Sequence, residues 1–170
     1  MNHPLFEIVK TTAGAISIRN KLVNEIMHNP VGPWVEANSL YISQSNLKEL
    51  LSKTEAPELV VFDVGLGAAA NALATLHCAR SIGNPRKLRL ISFERDLELL
   101  KYALTHADRF EHFRGYEEIL ENFLEAKSWT DANISWELRH GDFLDLIDQE
   151  QHQADLVFYD PYSPLVNVDM

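Results

Sequence analysis

The fold is decided by the stretch Val60-Val-Phe-Asp-Val-Gly-Leu-Gly-Ala-Ala-Ala-Asn71. The apolar run Leu59–Phe62, which overlaps the start of this stretch, predicts a strand covered on both faces, as in a parallel sheet. Gly65 and Gly67 lack a Cβ, so the chain can turn tightly there and a ligand can approach the backbone. The alanine-rich continuation from Ala68 favours a helix, whose first N–H groups face the turn. A strand, a glycine turn and a helix N-terminus together predict a nucleotide-binding element.

Two cofactors fit this element. Residues 65–70 match the dinucleotide pattern G-x-G-x-x-A, which is typical of NAD sites. Asp63 favours S-adenosylmethionine instead, because a carboxylate attracts an ammonium and a sulfonium but is unfavourable beside a pyrophosphate. A glycine turn that serves packing alone, without a ligand, is the third interpretation.

Length and composition indicate one soluble domain. The chain has 170 residues, of which 46% are hydrophobic and 24% charged, as is usual for a globular protein with one substantial core. No apolar run is long enough to span a bilayer, and the N-terminus lacks a signal-peptide core. The lone Cys78 cannot form an internal disulfide, which favours a cytoplasmic location. The net charge of −10 argues against non-specific nucleic-acid binding.

Strands and helices alternate along most of the chain. An N-terminal extension, residues 1–56, is predicted to hold a hairpin at 6–20, a loop at 27–33 and a helix at 34–53. In the remaining core, residues 57–170, strands are predicted at 59–62, 88–93, 134–138 and 155–159. Helices are expected between them, at 68–81, 96–105, 116–127 and around Leu144 and Ile147. This alternation predicts an α/β domain with a parallel sheet and right-handed crossovers.

Acidic residues lie just past the ends of all four predicted strands, namely Asp63, Glu94, Asp142 and Asp160. Ligands of parallel sheets bind at the carboxyl ends of the strands. Glu94 suits the ribose hydroxyls of either cofactor, or else it stabilises a helix N-terminus. Asp142 can accept a hydrogen bond from an adenine amine, and a helix N-cap is the alternative.

The segment Asp160-Pro-Tyr-Ser-Pro164 carries the candidate catalytic group. Its two prolines stiffen the loop, so Asp160 can accept an N–H from an amine and aim the nitrogen lone pair. Tyr162 can stack on a planar base. The loop resembles the Asp/Asn-Pro-Pro-Tyr/Phe loop of amino-group methyltransferases, with Tyr162 in place of the second proline. A structural turn after a buried strand is the competing interpretation. The histidines show no metal-ligand spacing, so no metal site is predicted.

The chain resembles the tRNA 5-methylaminomethyl-2-thiouridine-forming methyltransferases. In the expected order, the resemblance is carried by Glu25–Ser45, Phe62–Leu73, Ile91–Glu94, His140–Asp142 and Asp160–Pro164. It implies a Rossmann-like class I methyltransferase sheet with helices on both faces. It also implies methyl transfer from S-adenosylmethionine to the aminomethyl group of a wobble uridine in tRNA.

The resemblance assigns roles to individual residues. Cofactor binding falls to Gly65, Gly67, Glu94 and Asp142, and Asp160 orients the amine. Tyr41 and Gln44 close the cofactor pocket from the N-terminal side, although both also suit a plain surface helix.

Members of this family continue past the Asp160 loop, through a helix and three strands, whereas this sequence stops at Met170. The expectation is therefore a sheet that lacks its last strands. Its open edge would be covered by a partner chain, or the sequence would be a fragment.

Three other functions stay open. An aminopropyl-type transferase needs a similar carboxylate-lined amine pocket, and the negative net charge suits its cationic substrate. A non-catalytic cofactor-binding subunit would need a partner chain. An NAD-dependent enzyme fits least well, because of Asp63.

Overall fold

A computed structural model describes residues 3–53, 56–83 and 85–160. Its framework is a three-stranded antiparallel sheet followed by a five-stranded sheet. The strands of the small sheet, in spatial order, are β1 (Phe6–Lys10), β2 (Ile16–Asn20) and β3 (Glu25–Ile26). The hairpin predicted at 6–20 is confirmed, because β1 and β2 pair in antiparallel register.

The large sheet has the spatial order β6-β7-β5-β4-β8. Its strands are β4 (Glu58–Val64), β5 (Lys87–Glu94), β6 (Ser128–Asp131), β7 (Ile134–His140) and β8 (Leu156–Tyr159). The four predicted strands are present as β4, β5, β7 and β8, and they are parallel. The sequence did not predict β6, a short and largely exposed strand that pairs antiparallel with β7.

Six α-helices surround the sheets in the described ranges. They are α1 (Pro33–Glu36), α2 (Leu47–Ser52), α3 (Ala70–Arg80), α4 (Glu98–Leu104), α5 (Glu117–Ala126) and α6 (Phe143–Ile147). The helix predicted at 34–53 is divided: a π-helical segment, Ala37–Ser43, follows α1, and the left-handed Asn46 (φ 54°) precedes α2. Helix α3 begins later than expected because Ala69 is also left-handed, with φ 60°.

The sheet is covered on both faces, as the resemblance implied. Alternate residues of β4 face opposite sides. Leu59 and Val61 join the larger core, which includes α3, α4 and α5, whereas Val60 and Phe62 join a smaller cluster beneath α6. Within the region predicted as the N-terminal helix, Leu47 and Leu51 are buried, but Leu40 is 43% exposed. None of the helices in the described part of the chain has the length and hydrophobicity to cross a membrane.

The topology brings the predicted acidic residues to one edge of the sheet. Strands β5 and β7 lie on one side of β4, and β8 lies on the other side. The strand order therefore reverses at β4. Val64 is level with Phe93 and Tyr159, and Glu94 is level with His140. Ligands of open α/β sheets bind at such a switch point, outside the carboxyl ends of the strands.

Candidate cofactor-binding and active site

A cavity of about 360 Å³ lies at the carboxyl ends of the parallel strands. Five of the predicted site residues border it: Gly65, Gly67, Glu94, Asp142 and Asp160. The N-terminal extension also contributes to its lining, through Asn20, Glu25, Met27 and His28. The small sheet is therefore part of the site.

The glycine turn is fixed to the neighbouring strand by hydrogen bonds. Gly65 and Gly67 have φ values of 87° and 53°, a left-handed conformation that glycine adopts without strain. The N–H of Gly65 donates to the Phe93 carbonyl at 3.0 Å, and the N–H of Gly67 donates to Glu94 Oε2 at 2.9 Å. A Cβ on Gly67 would meet its nearest neighbour, Leu99 Cδ2, only at 3.8 Å, so the backbone conformation rather than crowding favours glycine there.

Glu94 presents a carboxylate of fixed orientation. While Oε2 accepts from Gly67, Oε1 accepts from the N–H of Asp96 at 3.0 Å. Each carboxylate oxygen has a second lone pair, so both can still accept from a ligand hydroxyl. This arrangement suits the recognition of paired ribose hydroxyls.

Asp142 is an N-cap that also borders the cavity. Its Oδ1 accepts from the N–H of Leu144 at 3.0 Å, as the N-cap interpretation predicted. Its Oδ2 lies 3.7 Å from Arg95 Nη1, in a pair that is partly exposed. The two contacts orient the carboxylate at the wall of the cavity, where it can accept from an exocyclic amine.

Asp160 is held from two directions. Its backbone N–H donates to the Val64 carbonyl at 2.9 Å, which extends the pairing of β8 with β4. Its side-chain Oδ2 accepts from Asn71 Nδ2, also at 2.9 Å. The Tyr41 hydroxyl also approaches this carboxylate, because a hydrogen bond to Asp160 is one cause of the raised Tyr41 pKa. Asn71 therefore anchors one oxygen, and each carboxylate oxygen keeps a lone pair that can accept from a substrate.

Three predicted cofactor contacts, Asp63, Tyr41 and Gln44, are not among the residues that line this cavity, and their roles in cofactor binding stay predictions. Asp63 is completely buried within β4. Tyr41 packs edge-on against Phe158, with ring centroids 5.2 Å apart, and Gln44 is exposed at the end of the π-helical segment. Tyr162 lies outside the described residues.

Tyr41 belongs to the surroundings of Asp160. Burial, followed by the negative charge of Asp160, raises the pKa of the Tyr41 hydroxyl, which stays protonated at neutral pH. Burial also raises the pKa of Glu36, and Asp160 adds to that shift. The N-terminal helical segments thus bring a neutral hydroxyl and a further carboxyl group to the Asp160 side of the site.

Asp63 lies in a hydrogen-bonded chain inside the sheet. Trp136 Nε1–H donates to Ser92 Oγ at 2.9 Å, and Ser92 Oγ donates to Asp63 Oδ2 at 2.8 Å. Asp63 Oδ1 has no hydrogen-bond partner among the described residues. Burial raises the pKa of Asp63 to about 7; the bond from Ser92 opposes this shift, and the charges of Asp160 and Glu94 add to it.

This pKa predicts how stability depends on pH. Between the ordinary pKa of 3.8 and about 7, the folded chain keeps a proton on Asp63 that the unfolded chain has lost. Asp63 therefore lowers the free energy of unfolding as pH rises through this window. Asp63→Asn removes the titration but keeps an oxygen that can accept from Ser92. Between about pH 5 and about pH 8, the free energy of unfolding of wild type should fall by on the order of 2 kcal/mol relative to that of this variant.

Urea unfolding at both pH values measures the difference. Asp108→Asn is the control, because Asp108 is exposed on a surface turn and its loss changes the net charge equally. A difference between wild type and Asp63→Asn that stays constant with pH would contradict the raised pKa.

His28 is a cavity residue to which the sequence reading gave no role. Its Nδ1 lies 3.2 Å from Ser17 Oγ, and burial lowers its pKa to about 4. The imidazole is therefore neutral at pH 7 and adds no positive charge to the site. The sequence did contain a signal, since His28 lies in Glu25–Ser45, one of the segments on which the resemblance rests. Among the residues in the described ranges, no group of three or more His, Cys, Asp or Glu side chains could hold a metal ion.

Comparison with known proteins identifies what the chain is similar to. No family model matches it. It is 28% identical over 159 residues to the tRNA 5-methylaminomethyl-2-thiouridine biosynthesis bifunctional protein MnmC of Campylobacter fetus subsp. fetus, a match that covers 89% of this chain. The crystal structure of MnmC2 from Aquifex aeolicus matches with a TM-score of 0.70 and 25% identity over 94% of this chain. The chain is similar to MnmC2 in sequence and fold.

The resemblance stated from the motifs is thereby confirmed, as is an α/β methyltransferase fold. The chain spans about half the length of the MnmC2 structure, at 50%, and 25% of the curated MnmC protein. The O-methyltransferase TomG of Streptomyces achromogenes, solved in complex with SAM, is a distant match with a TM-score of 0.38 and 13% identity. That match covers 78% of this chain and 53% of TomG.

Proposed function

We propose that the chain binds S-adenosylmethionine in the cavity and transfers its methyl group to the aminomethyl group of a modified wobble uridine in tRNA. The observation that carries this proposal is the meeting of the glycine turn, Glu94, Asp142 and Asp160 at one cavity. The similarity to MnmC, whose name specifies tRNA 5-methylaminomethyl-2-thiouridine biosynthesis, supports the substrate class.

The lining fits the chemistry of this cofactor. Glu94 would accept hydrogen bonds from the ribose hydroxyls, and Asp142 would accept one from the adenine amine. The carboxylates around the glycine turn favour the ammonium and the sulfonium of the methionine part. A pyrophosphate would meet the same negative groups unfavourably, which argues against NAD. The bound cofactor supplies an electrophilic methyl group.

The chain itself contributes position and a proton acceptor. Asp160 accepts an N–H from the neutral amine and so aims the nitrogen lone pair at the methyl carbon. As the new N–C bond forms and the C–S bond breaks, the amine proton passes to the Asp160 carboxylate or to water. Tyr162 stays a predicted contact to the uridine base, and Tyr41 and Gln44 stay predicted contacts on the N-terminal side.

Calorimetry tests cofactor binding directly. Glu94→Ala should weaken S-adenosylmethionine binding by about tenfold to a hundredfold, because charge-assisted hydrogen bonds to the ribose are lost. Glu94→Gln retains one acceptor oxygen and should lose less of the affinity for S-adenosylmethionine than Glu94→Ala. Glu118→Ala, an exposed change on α5, is the matched control and should bind like wild type. Binding of NAD in place of S-adenosylmethionine would overturn the cofactor assignment.

Transfer is tested with labelled S-adenosylmethionine and tRNA that lacks the methyl modification. Label in the tRNA supports the proposal, and its absence despite cofactor binding contradicts it. A small-amine transferase is the second candidate, because Glu36 lies close enough to Asp160 for the Asp160 charge to raise the Glu36 pKa, and a second carboxylate beside Asp160 suits a cationic amine. Incubation of a diamine with the decarboxylated cofactor separates the two functions. Cofactor binding without any transfer would indicate a non-catalytic subunit.

Two predictions, about a partner at the exposed side of β8 and about the cellular location, accompany this proposal. In the part of the chain that the structure describes, β8 pairs on one side only, and Val157 and Tyr159 on it are 48% and 52% exposed. A partner chain or further domain at this edge stays a prediction, which sedimentation of the 170-residue chain tests. A cytoplasmic location, with tRNA as the macromolecular partner, goes with the proposed reaction.

A further inference from the structure

We infer that Asn71 is a positioning residue for methyl transfer, because it fixes the rotamer of Asp160. This inference rests on the proposed function of Asp160 and deepens it. The contact is Asn71 Nδ2–H to Asp160 Oδ2, at 2.9 Å, between residues 89 positions apart in the sequence.

Asn71 is itself firmly held. It is only 7% exposed and lies in the first turn of α3, immediately after the glycine turn, where it also borders the cavity. A buried amide on a helix has few alternative rotamers, so its N–H donor occupies a defined place.

Asp160, in contrast, is exposed just after β8. Asn71 Nδ2 donates to its Oδ2 at 2.9 Å, and the Tyr41 hydroxyl approaches the same carboxylate from the N-terminal segment. Because the amide fixes Oδ2, the plane of the carboxylate is set, and an oxygen that accepts one N–H from the amine aims the nitrogen lone pair. Without Asn71 the carboxylate would rotate, and the population of correctly placed oxygen would fall.

Asn71 therefore connects the cofactor turn to the catalytic loop. A residue in the first turn of α3, which borders the proposed cofactor cavity, also positions the group that receives the amine. This link predicts that loss of Asn71 reduces kcat, while the affinity for S-adenosylmethionine, which depends on the turn and Glu94, changes little.

The test compares Asn71→Ala with Thr75→Ala in the full chain. Both changes remove a buried side-chain hydrogen bond from the same turns of α3, but only Asn71 contacts Asp160. Asn71→Ala should lower kcat for tRNA methylation by about tenfold or more, with the Kd for S-adenosylmethionine within about twofold of wild type. Thr75→Ala should keep the wild-type kcat. Equal effects on kcat in both variants would mean that Asn71 is merely structural and would overturn the inference.

A spectroscopic measurement is independent of turnover. In ¹⁵N-labelled protein, the side-chain amide protons of Asn71 should show a downfield, hydrogen-bonded resonance that Asp160→Ala removes and Asp108→Ala preserves. A resonance that is insensitive to Asp160→Ala would overturn the contact. If wild type binds the cofactor but methylates no tRNA, the proposed function fails. If wild type is active and Asn71→Ala is equally active, only the positioning role fails.

Discussion

Asp160→Asn is expected to reduce kcat for tRNA methylation by about a hundredfold to ten-thousandfold, the range found when a general base is removed. The amide that replaces the carboxylate cannot take up the amine proton and carries no charge to aim the nitrogen. The fold should persist, because the new amide oxygen can still accept from Asn71 and the backbone N–H can still donate to Val64. Since the change leaves the glycine turn and Glu94 intact, the Kd for S-adenosylmethionine should stay within a few-fold.

Single-turnover kinetics with labelled S-adenosylmethionine measure the effect on chemistry without contributions from product release. Asp108→Asn is the matched control, since it is the same chemical change at an exposed turn away from the cavity. A rate for Asp160→Asn equal to that of the control would show that positioning by the bound tRNA alone supplies the catalysis. A variant that loses cofactor binding instead would place Asp160 in the cofactor site.

The sequence predicted the frame of this site well, for a physical reason. The strands β4 and β5 are largely buried on both faces and appear in the sequence as short apolar runs, and β7 and β8 also carry apolar residues although they are only partly buried. Once a parallel sheet was predicted, the rule for ligand sites brought Glu94, Asp142 and Asp160 to the same edge. The structure places these three around one cavity with the glycines.

The parts that could not be predicted depend on contacts between distant residues. The hydrogen bond from Asn71 to Asp160 joins two ends of the core, and no local pattern encodes it. Asp63 was read as a cavity residue from its place before the glycines, yet alternation along β4 buries it against Ser92. The edge strand β6 lacked an apolar run, so its four residues gave no strand signal.

Trp136→Ala is expected to lower the free energy of unfolding by about 3–5 kcal/mol, the range for removing a large aromatic side chain from a core. Trp136 is completely buried on β7 and stacks on Phe123 of α5, with ring centroids 3.7 Å apart and planes within 13°. Its Nε1–H also donates to Ser92, which in turn donates to Asp63. Truncation would therefore leave a cavity and break the chain of hydrogen bonds that ends beside the glycine turn.

Two comparison variants separate these contributions in urea unfolding followed by circular dichroism. Trp136→Phe keeps most of the stacking on Phe123 but removes the N–H donor, so it should cost roughly 1–2 kcal/mol. Trp129→Ala makes the same chemical change at a half-buried position, where the ring lies against Arg80 at 4.9 Å, and should cost about 1 kcal/mol. Equal losses for the two alanine variants would mean that the layer between β7 and α5 can collapse around the missing ring. A Trp136→Phe variant as unstable as Trp136→Ala would instead show that the hydrogen bond to Ser92, and through it the placement of Asp63, dominates the stability of this part of the sheet.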